Sequence, residues 1–289
     1  MSFSDLADPR DVLSSLTMAY NLREWTYLRT LSFVAVLLVQ LELVNTAMKV
    51  FYKWGGKTKV VPVRGKHLDQ LDMQDIIFIG CSKMAIPPFI FLLLRWCHHN
   101  PTLIPSSLSS VTFLNTLLPL PLLFIIYDLP YSLAHRFLHL HWVYPYIHKH
   151  HHKQKAPSRG NLDAVNVHPV EFHIGEYLHW FAVWFLTQLG LKVHLLSIVA
   201  FLFLAGVMAS LNHTRFDVKW SALGVTWYDP KDHDVHHRLP RTNYGQYIQL
   251  WDKVLGTWRG YRDDDRVVKE DQLTGRYEGV SKSSLGKGK

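Results

Sequence analysis

LLFIIYDLPYSLAHRFLHLHWVYPYIHKHHH, residues 122–152, decides the reading of this chain. It starts as an apolar run and ends in a crowd of histidines. Within it His135 and His139 stand four apart, and His148, His151 and His152 follow as His-x-x-His-His. The same spacing returns at His233, His236 and His237. An α-helix advances about 100° per residue, so an i, i+4 pair is offset by only about 40°. In each His-x-x-His-His set the second and third rings fall about 60° to one side and about 40° to the other side of the first. Each set is therefore expected to aim its imidazoles at one point. Neutral imidazole is a nitrogen ligand for iron, zinc, copper and nickel. These eight rings are too many for one four-coordinate ion, so the spacing implies two metals.

The rest of the chain says where those sets sit. Of 289 residues, 48% are hydrophobic, and they collect into runs. A bilayer crossing needs about 20 mostly apolar residues. Five segments stand out, at about 30–48, 76–96, 111–134, 174–191 and 195–211. Gln40, Glu42 and Asn45 make the first imperfect, and Pro87-Pro88 predicts a kink in the second. Only Lys192–His194 separates the last two, which predicts a tight helical hairpin. Residues 1–28 lack the pattern of a cleaved signal peptide, so the first segment is expected to stay as a signal anchor. Cys81 and Cys97 would lie about 24 Å apart on one helix, too far for a disulfide.

Net charge is +8, with 31 Lys+Arg against 23 Asp+Glu. No zinc-finger or RNA-binding pattern accompanies it, so a membrane surface is expected and no nucleic acid. Basic residues mark cytoplasmic loops. Residues 49–66 carry six Lys/Arg, 135–173 five and 212–289 fourteen, while 97–110 carry none. This predicts an outside N-terminus, five passes, and all histidine sets on the cytosolic face. The expected fold class is all-α: an integral membrane bundle of about four to five helices with a cytosolic, histidine-rich helical cap.

Two carboxylates are candidate catalytic-site groups. Asp128 lies in an apolar segment, where a charge is costly and usually functional. Asp128, Ser132, His135 and His139 form one helical stripe, so Asp128 is expected to accept the free N–H of a metal-bound ring. A structural hydrogen bond is the competing reading. Glu171 lies three residues after His168 and is a candidate ligand or orienting group. His168 itself is a candidate ligand, or else a cap at a helix start before Pro169. His213, after the last apolar segment, is a further candidate ligand. His67, His98, His99, His141, His150, His173, His179 and His194 match no set and read as surface or packing residues. Asn243-Tyr244-Gly245 reads as a turn, and Trp251 as an interfacial anchor.

Together HRFLH (135–139), HKHHH (148–152), HPVE (168–171), HDVHH (233–237) and NYGQYIQLWDKVLGT (243–257) resemble the fatty acid hydroxylase/sterol desaturase superfamily. The last stretch is most similar to sterol C5-desaturases and C4-methyl oxidases, and the resemblance spans about residues 120–260. It implies an endoplasmic reticulum enzyme with two iron ions, using O2 and electrons from NAD(P)H through cytochrome b5. It carries over as ligands His135, His139, His148, His151, His152, His233, His236 and His237, with His168 and His213 added. The chain then divides into an N-terminal segment (1–29), membrane helices with a basic loop (30–110), a di-iron domain (111–262) and a basic tail (263–289), its end expected to be disordered. No His-Pro-Gly-Gly haem signature is present, so a separate electron donor is expected.

The resulting expectation is a membrane lipid oxygenase that hydroxylates or desaturates a sterol or fatty-acyl C–H bond. Two other classes compete. A metal transporter would place its ligands near the bilayer midplane. A zinc-dependent lipid hydrolase would need only three or four ligands.

Overall fold

The computed structural model describes residues 26–54, 60–68, 70–222 and 224–262. The expected tail at 263–289, and all but the last four residues of the expected N-terminal segment, lie outside them. Five long helices form the body: α1 (Tyr27–Trp54), α2 (Met73–His99), α3 (Pro119–Leu138), α4 (Pro169–Gln188) and α5 (Leu195–Asn212). A π-helical turn, Phe113–Leu117, leads into α3.

Four stretches among the described residues are long and apolar enough to cross a membrane: Tyr27–Phe51, Met73–His99, Phe113–Leu138 and Leu195–Asn212. α4 accompanies them but is less apolar, because Glu171, His173, Glu176 and His179 fall within it. Exposed side chains such as Val36, Met84, Phe113 and Leu204 coat the outside, as lipid contact requires. α2 is continuous through Pro87 and Pro88.

The helices alternate in direction. Backbone hydrogen bonds from Val193 to Leu103 (2.9 Å), His194 to Asn115 (2.6 Å) and Leu195 to Pro105 (2.9 Å) join the α4–α5 turn to the α2–α3 connection at one end. At the other end lie every histidine set and the close of α1, where Asn45 Nδ2 donates to the Ser158 carbonyl at 2.9 Å. In lipid, helices gain little from burying apolar surface, so close packing carries the association. Leu93, Leu123, Ala182, Ile198 and Phe201 are the fully enclosed centre. Gly206 of α5 lets α1 approach, since a Cβ there would stand 3.0 Å from Leu41 Cδ1.

The histidine end is a compact cap. It contains a hairpin, β1 (Trp220–Ala222) and β2 (Val225–Tyr228), and two short helices, α6 (Pro230–Arg238) and α7 (Leu250–Val254). The small hairpin departs from the all-α expectation without changing the architecture. Residues 60–68 strap the cap from outside. His67 Nδ1 lies 2.9 Å from the Ala156 carbonyl, and Leu68 N–H donates to Gln154 Oε1 at 2.6 Å. Asp72 and Asp75 form a reciprocal cap on the start of α2. Asp75 then reaches into the cap, 2.9 Å from Asn166 Nδ2 and 3.0 Å from His150 Nε2.

Candidate metal centre

The end of α3 delivers His135 and His139 to the cap. A succession of tight turns through 140–150 and a 3-10 turn at His151–Lys153 deliver the second set. α6 delivers the third, and the residue following α5 is His213. Nine imidazoles gather in two adjacent groups. His135, His139, His148, His152 and His236 form one; His151, His213, His233 and His237 form the other. Within each group the ligand nitrogens all lie within 4.8 Å of one another. The groups touch, with the His152 and His237 rings 4.7 Å apart.

The hydrogen bonds set the tautomers. His135 Nδ1 lies 2.9 Å from the Tyr244 carbonyl, His236 Nδ1 2.7 Å from Thr242 O, His237 Nδ1 2.8 Å from Gln154 O and His213 Nδ1 2.8 Å from Ala209 O. A carbonyl only accepts, so each Nδ1 donates and each Nε2 carries the lone pair. Each of those four Nε2 atoms faces the Nε2 of another ring: His135 to His148 at 3.0 Å, His236 to His152 at 3.1 Å, His213 to His233 at 3.1 Å and His237 to His233 at 3.0 Å. A cation placed among these nitrogens would be held by their lone pairs. Glu171 Oε1 stands 2.8 Å from His148 Nδ1, the usual place for a carboxylate behind a metal-bound ring. The donor set therefore fits two metal ions.

Burial, and then the neighbouring rings, hold His139, His151, His152, His233 and His237 well below the ordinary histidine value. Burial pushes His236 down to about 3. These rings are neutral at physiological pH. Behind them Asp234 accepts from Arg215 Nη1 at 2.6 Å and Arg238 Nε at 2.9 Å, which clamps α6 from its buried side.

Four expectations need correction. Each His-x-x-His-His set does not aim at one point. The i, i+4 pairs His135/His139, His148/His152 and His233/His237 stay together, while His151 and His236 cross to the other group. On α6 the adjacent residues His236 and His237 diverge by about 100°, so His233 and His237 share a site while His236 faces the other group. Asp128 touches no imidazole. Its carboxylate accepts from the backbone N–H groups of Gln246, Tyr247 and Ile248, at 3.2, 3.0 and 2.6 Å for the shortest contact of each. It acts on His135 only through the loop that carries the Tyr244 carbonyl. His168 lies in neither group: it caps α4, its Nδ1 accepting from Val170 N–H at 3.2 Å. Trp251 is half-buried and donates its indole N–H to the Ile125 carbonyl of α3 at 2.7 Å.

The sequence carries no signal for the carbonyl acceptors of Thr242, Tyr244, Gln154 and Ala209, since any residue offers one. It also hides a cavity of about 140 Å³ between α1, α2, α3, α4 and α5. Tyr131 and Glu171 line its end nearest the metal centre. His179, read from sequence as packing, lines this cavity with its Nε2 3.0 Å from Tyr247 Oη.

Residues 120–257 match the fatty acid hydroxylase family. Over that stretch the chain is similar to fatty acid hydroxylase domains. It is 25% identical over 277 residues to C-4 methylsterol oxidase erg25 of Schizosaccharomyces pombe, covering 95% of this chain and 85% of that protein. It is 27% identical over 199 residues to cholesterol 25-hydroxylase-like protein 1, member 2, of Danio rerio, covering 64% of this chain and 68% of that protein. It is 30% identical over 135 residues to a very-long-chain aldehyde decarbonylase of Arabidopsis thaliana, covering 44% of this chain and 21% of that protein. No solved structure matches the chain. The similarity throughout is to oxidative enzymes of lipids.

Proposed function

We propose that the protein is a membrane-bound di-iron oxygenase that hydroxylates or desaturates a sterol-type lipid with O2. The observation that carries this is the pair of imidazole groups, five rings beside four, with the N–H of His135, His213, His236 and His237 turned outward to backbone carbonyls. Nitrogen ligands suit iron, and a single zinc hydrolase site would use fewer of them. Likeness to a C-4 methylsterol oxidase over nearly the whole chain favours a sterol over a fatty acyl chain.

His135, His139, His148, His152 and His236 would hold one iron, and His151, His213, His233 and His237 the other. Bound iron would supply O2 activation at a C–H bond that no side chain can attack. The protein supplies geometry. Glu171 keeps the His148 ring turned inward. Tyr131 and Glu171 form the boundary between the imidazoles and the cavity, where the target carbon is held away from water. The separate donor of electrons, of cytochrome b5 type, would meet the cap on the cytosolic face of the endoplasmic reticulum membrane.

Metal analysis of purified full-length protein, followed by O2 uptake and product mass spectrometry with a C-4-methylated sterol and a reductant, tests this. Two irons per chain and an oxidised sterol are expected. One zinc per chain, or iron-loaded protein that consumes no O2 with any lipid, would overturn it.

A further inference from the structure

The cavity beside the metal centre is mostly apolar. Leu37, Leu41, Ile86, Ile90 and Leu202 make up much of its wall. Into this wall α4 inserts Glu176, one and a half turns beyond Glu171. Three polar neighbours are already engaged. Tyr127 Oη donates to the Gly175 carbonyl at 3.2 Å, and Tyr247 Oη and His179 Nε2 pair at 3.0 Å. The Glu176 carboxyl has no hydrogen-bonding or ionic partner among the described residues.

A carboxyl group in an apolar cavity without a partner is costly. The cost is offset when a ligand brings the missing donor. A hydroxyl donates to a carboxyl oxygen whether that group is charged or neutral. Glu171, which abuts the metal centre, and Glu176 are separated by about 7.5 Å of helix rise. A lipid whose hydroxyl sat on Glu176 would therefore present to the imidazoles a carbon only a few bonds from that hydroxyl.

We propose that Glu176 is the hydroxyl-recognising residue of the substrate cavity, and that it selects lipids oxidised close to their own hydroxyl group. This rests on the lipid-oxygenase reading above. Position 4 of a sterol is bonded to the hydroxyl-bearing carbon and fits this geometry. A position at the far end of the sterol side chain does not.

Full-length, iron-loaded protein in lipid nanodiscs, held without O2, is titrated with 4,4-dimethylcholestanol and with its 3-methyl ether. Wild type is expected to bind the alcohol about tenfold more tightly than the ether, the value of one hydrogen bond to a buried carboxyl. Glu176→Leu should bring the alcohol down to the ether's affinity, and Glu176→Gln, which keeps an acceptor, should retain most of the preference. Equal binding of alcohol and ether by wild type, failure to bind either, or an undiminished preference in Glu176→Leu would overturn the proposal. Iron content reports whether the leucine variant is folded. If it is not, the wild-type comparison and the glutamine variant decide. Admitting O2 separates this proposal from its premise. Hydroxyl-selective binding without any oxidised product sinks the oxygenase reading alone, whereas oxidation without hydroxyl selectivity sinks the role of Glu176 alone.

Discussion

Asp128→Asn is the substitution whose effect the geometry specifies most closely. One carboxylate oxygen accepts from Gln246 and Tyr247 N–H, the other from Tyr247 and Ile248 N–H, and the side chain is wholly enclosed. Asparagine retains one oxygen. Placed toward Ile248, where the contact is 2.6 Å, it keeps two donors satisfied. The new NH2 then faces the Gln246 N–H, leaving that donor orphaned in a buried site. An orphaned buried group costs about 1–3 kcal/mol, and the surviving bonds lose their charge assistance. The total is about 2–4 kcal/mol. Alanine would orphan all three donors, a loss of about 3–9 kcal/mol against a typical stability of about 5–15. The same loop presents the Tyr244 carbonyl to His135 Nδ1. Loosening a group behind a ligand costs about 10–100-fold in metal affinity. Denaturant unfolding in detergent and chelator competition for ferrous iron measure both effects. An Asp128→Asn variant within about 0.5 kcal/mol of wild type, with unchanged iron affinity, would refute the reasoning.

Four further outcomes are expected. His151→Ala and His152→Ala should each lose one iron, but from different sites, so the two variants should differ in the spectrum of the metal that remains; identical spectra would contradict the crossing of His151. His168→Ala should retain both metals by elemental analysis and lose about 1 kcal/mol as a helix cap. Metal-free protein should lose stability on acidification. The folded value of His236 is pushed down to about 3 from 6.5, so the unfolded chain binds more protons throughout that window. Stability then falls as pH drops from 6.5 toward 3, by about 1.4 kcal/mol per pH unit for each such ring, and a flat pH profile of the metal-free form would exclude it. Gly245→Ala should be destabilised by about 1–3 kcal/mol, since a Cβ there would come within 2.8 Å of Asp252 Oδ2 and 2.9 Å of the Ile248 carbonyl; denaturant unfolding checks it.

What the sequence made legible follows from periodicity. Apolar runs marked the membrane helices because length and hydropathy are local properties of a chain. The i, i+4 spacing marked His135/His139 as a pair that shares a site, and the His-x-x-His-His spacing marked the other two sets as ligand clusters without showing that each divides between two groups. What stayed hidden depends on long-range contact. Whether His151 faces His148 or His213 is set by how two segments 62 residues apart in sequence fold against each other. Asp128 was conspicuous as a charge in an apolar segment, but its partners are backbone amides some 120 residues away, and amides have no signature. His168 shows the limit from the other side. Its residue type and position fit a ligand, and the following Pro169 equally fits a helix start; the fold realises the second.

The crossing of His151 and His236 has a consequence for how metal and fold depend on each other. Each His-x-x-His-His segment contributes to both groups, so neither site is a self-contained loop. The 148–152 segment is tied to the outer strap through Gln154, whose carbonyl also holds His237. α6 is tied to the α5 end through Arg215 and Asp234. Displacing one group therefore moves ligands of the other. Bound cations would draw the nine imidazoles of both groups together, so metal binding and closure of this cap are coupled. The cap is thus expected to close around two metals together rather than one at a time. Stepwise ferrous titration should show the second equivalent binding at least as tightly as the first. A second equivalent binding about tenfold more weakly would mean that the sites are independent, and that the interleaving of the two histidine segments has no energetic effect.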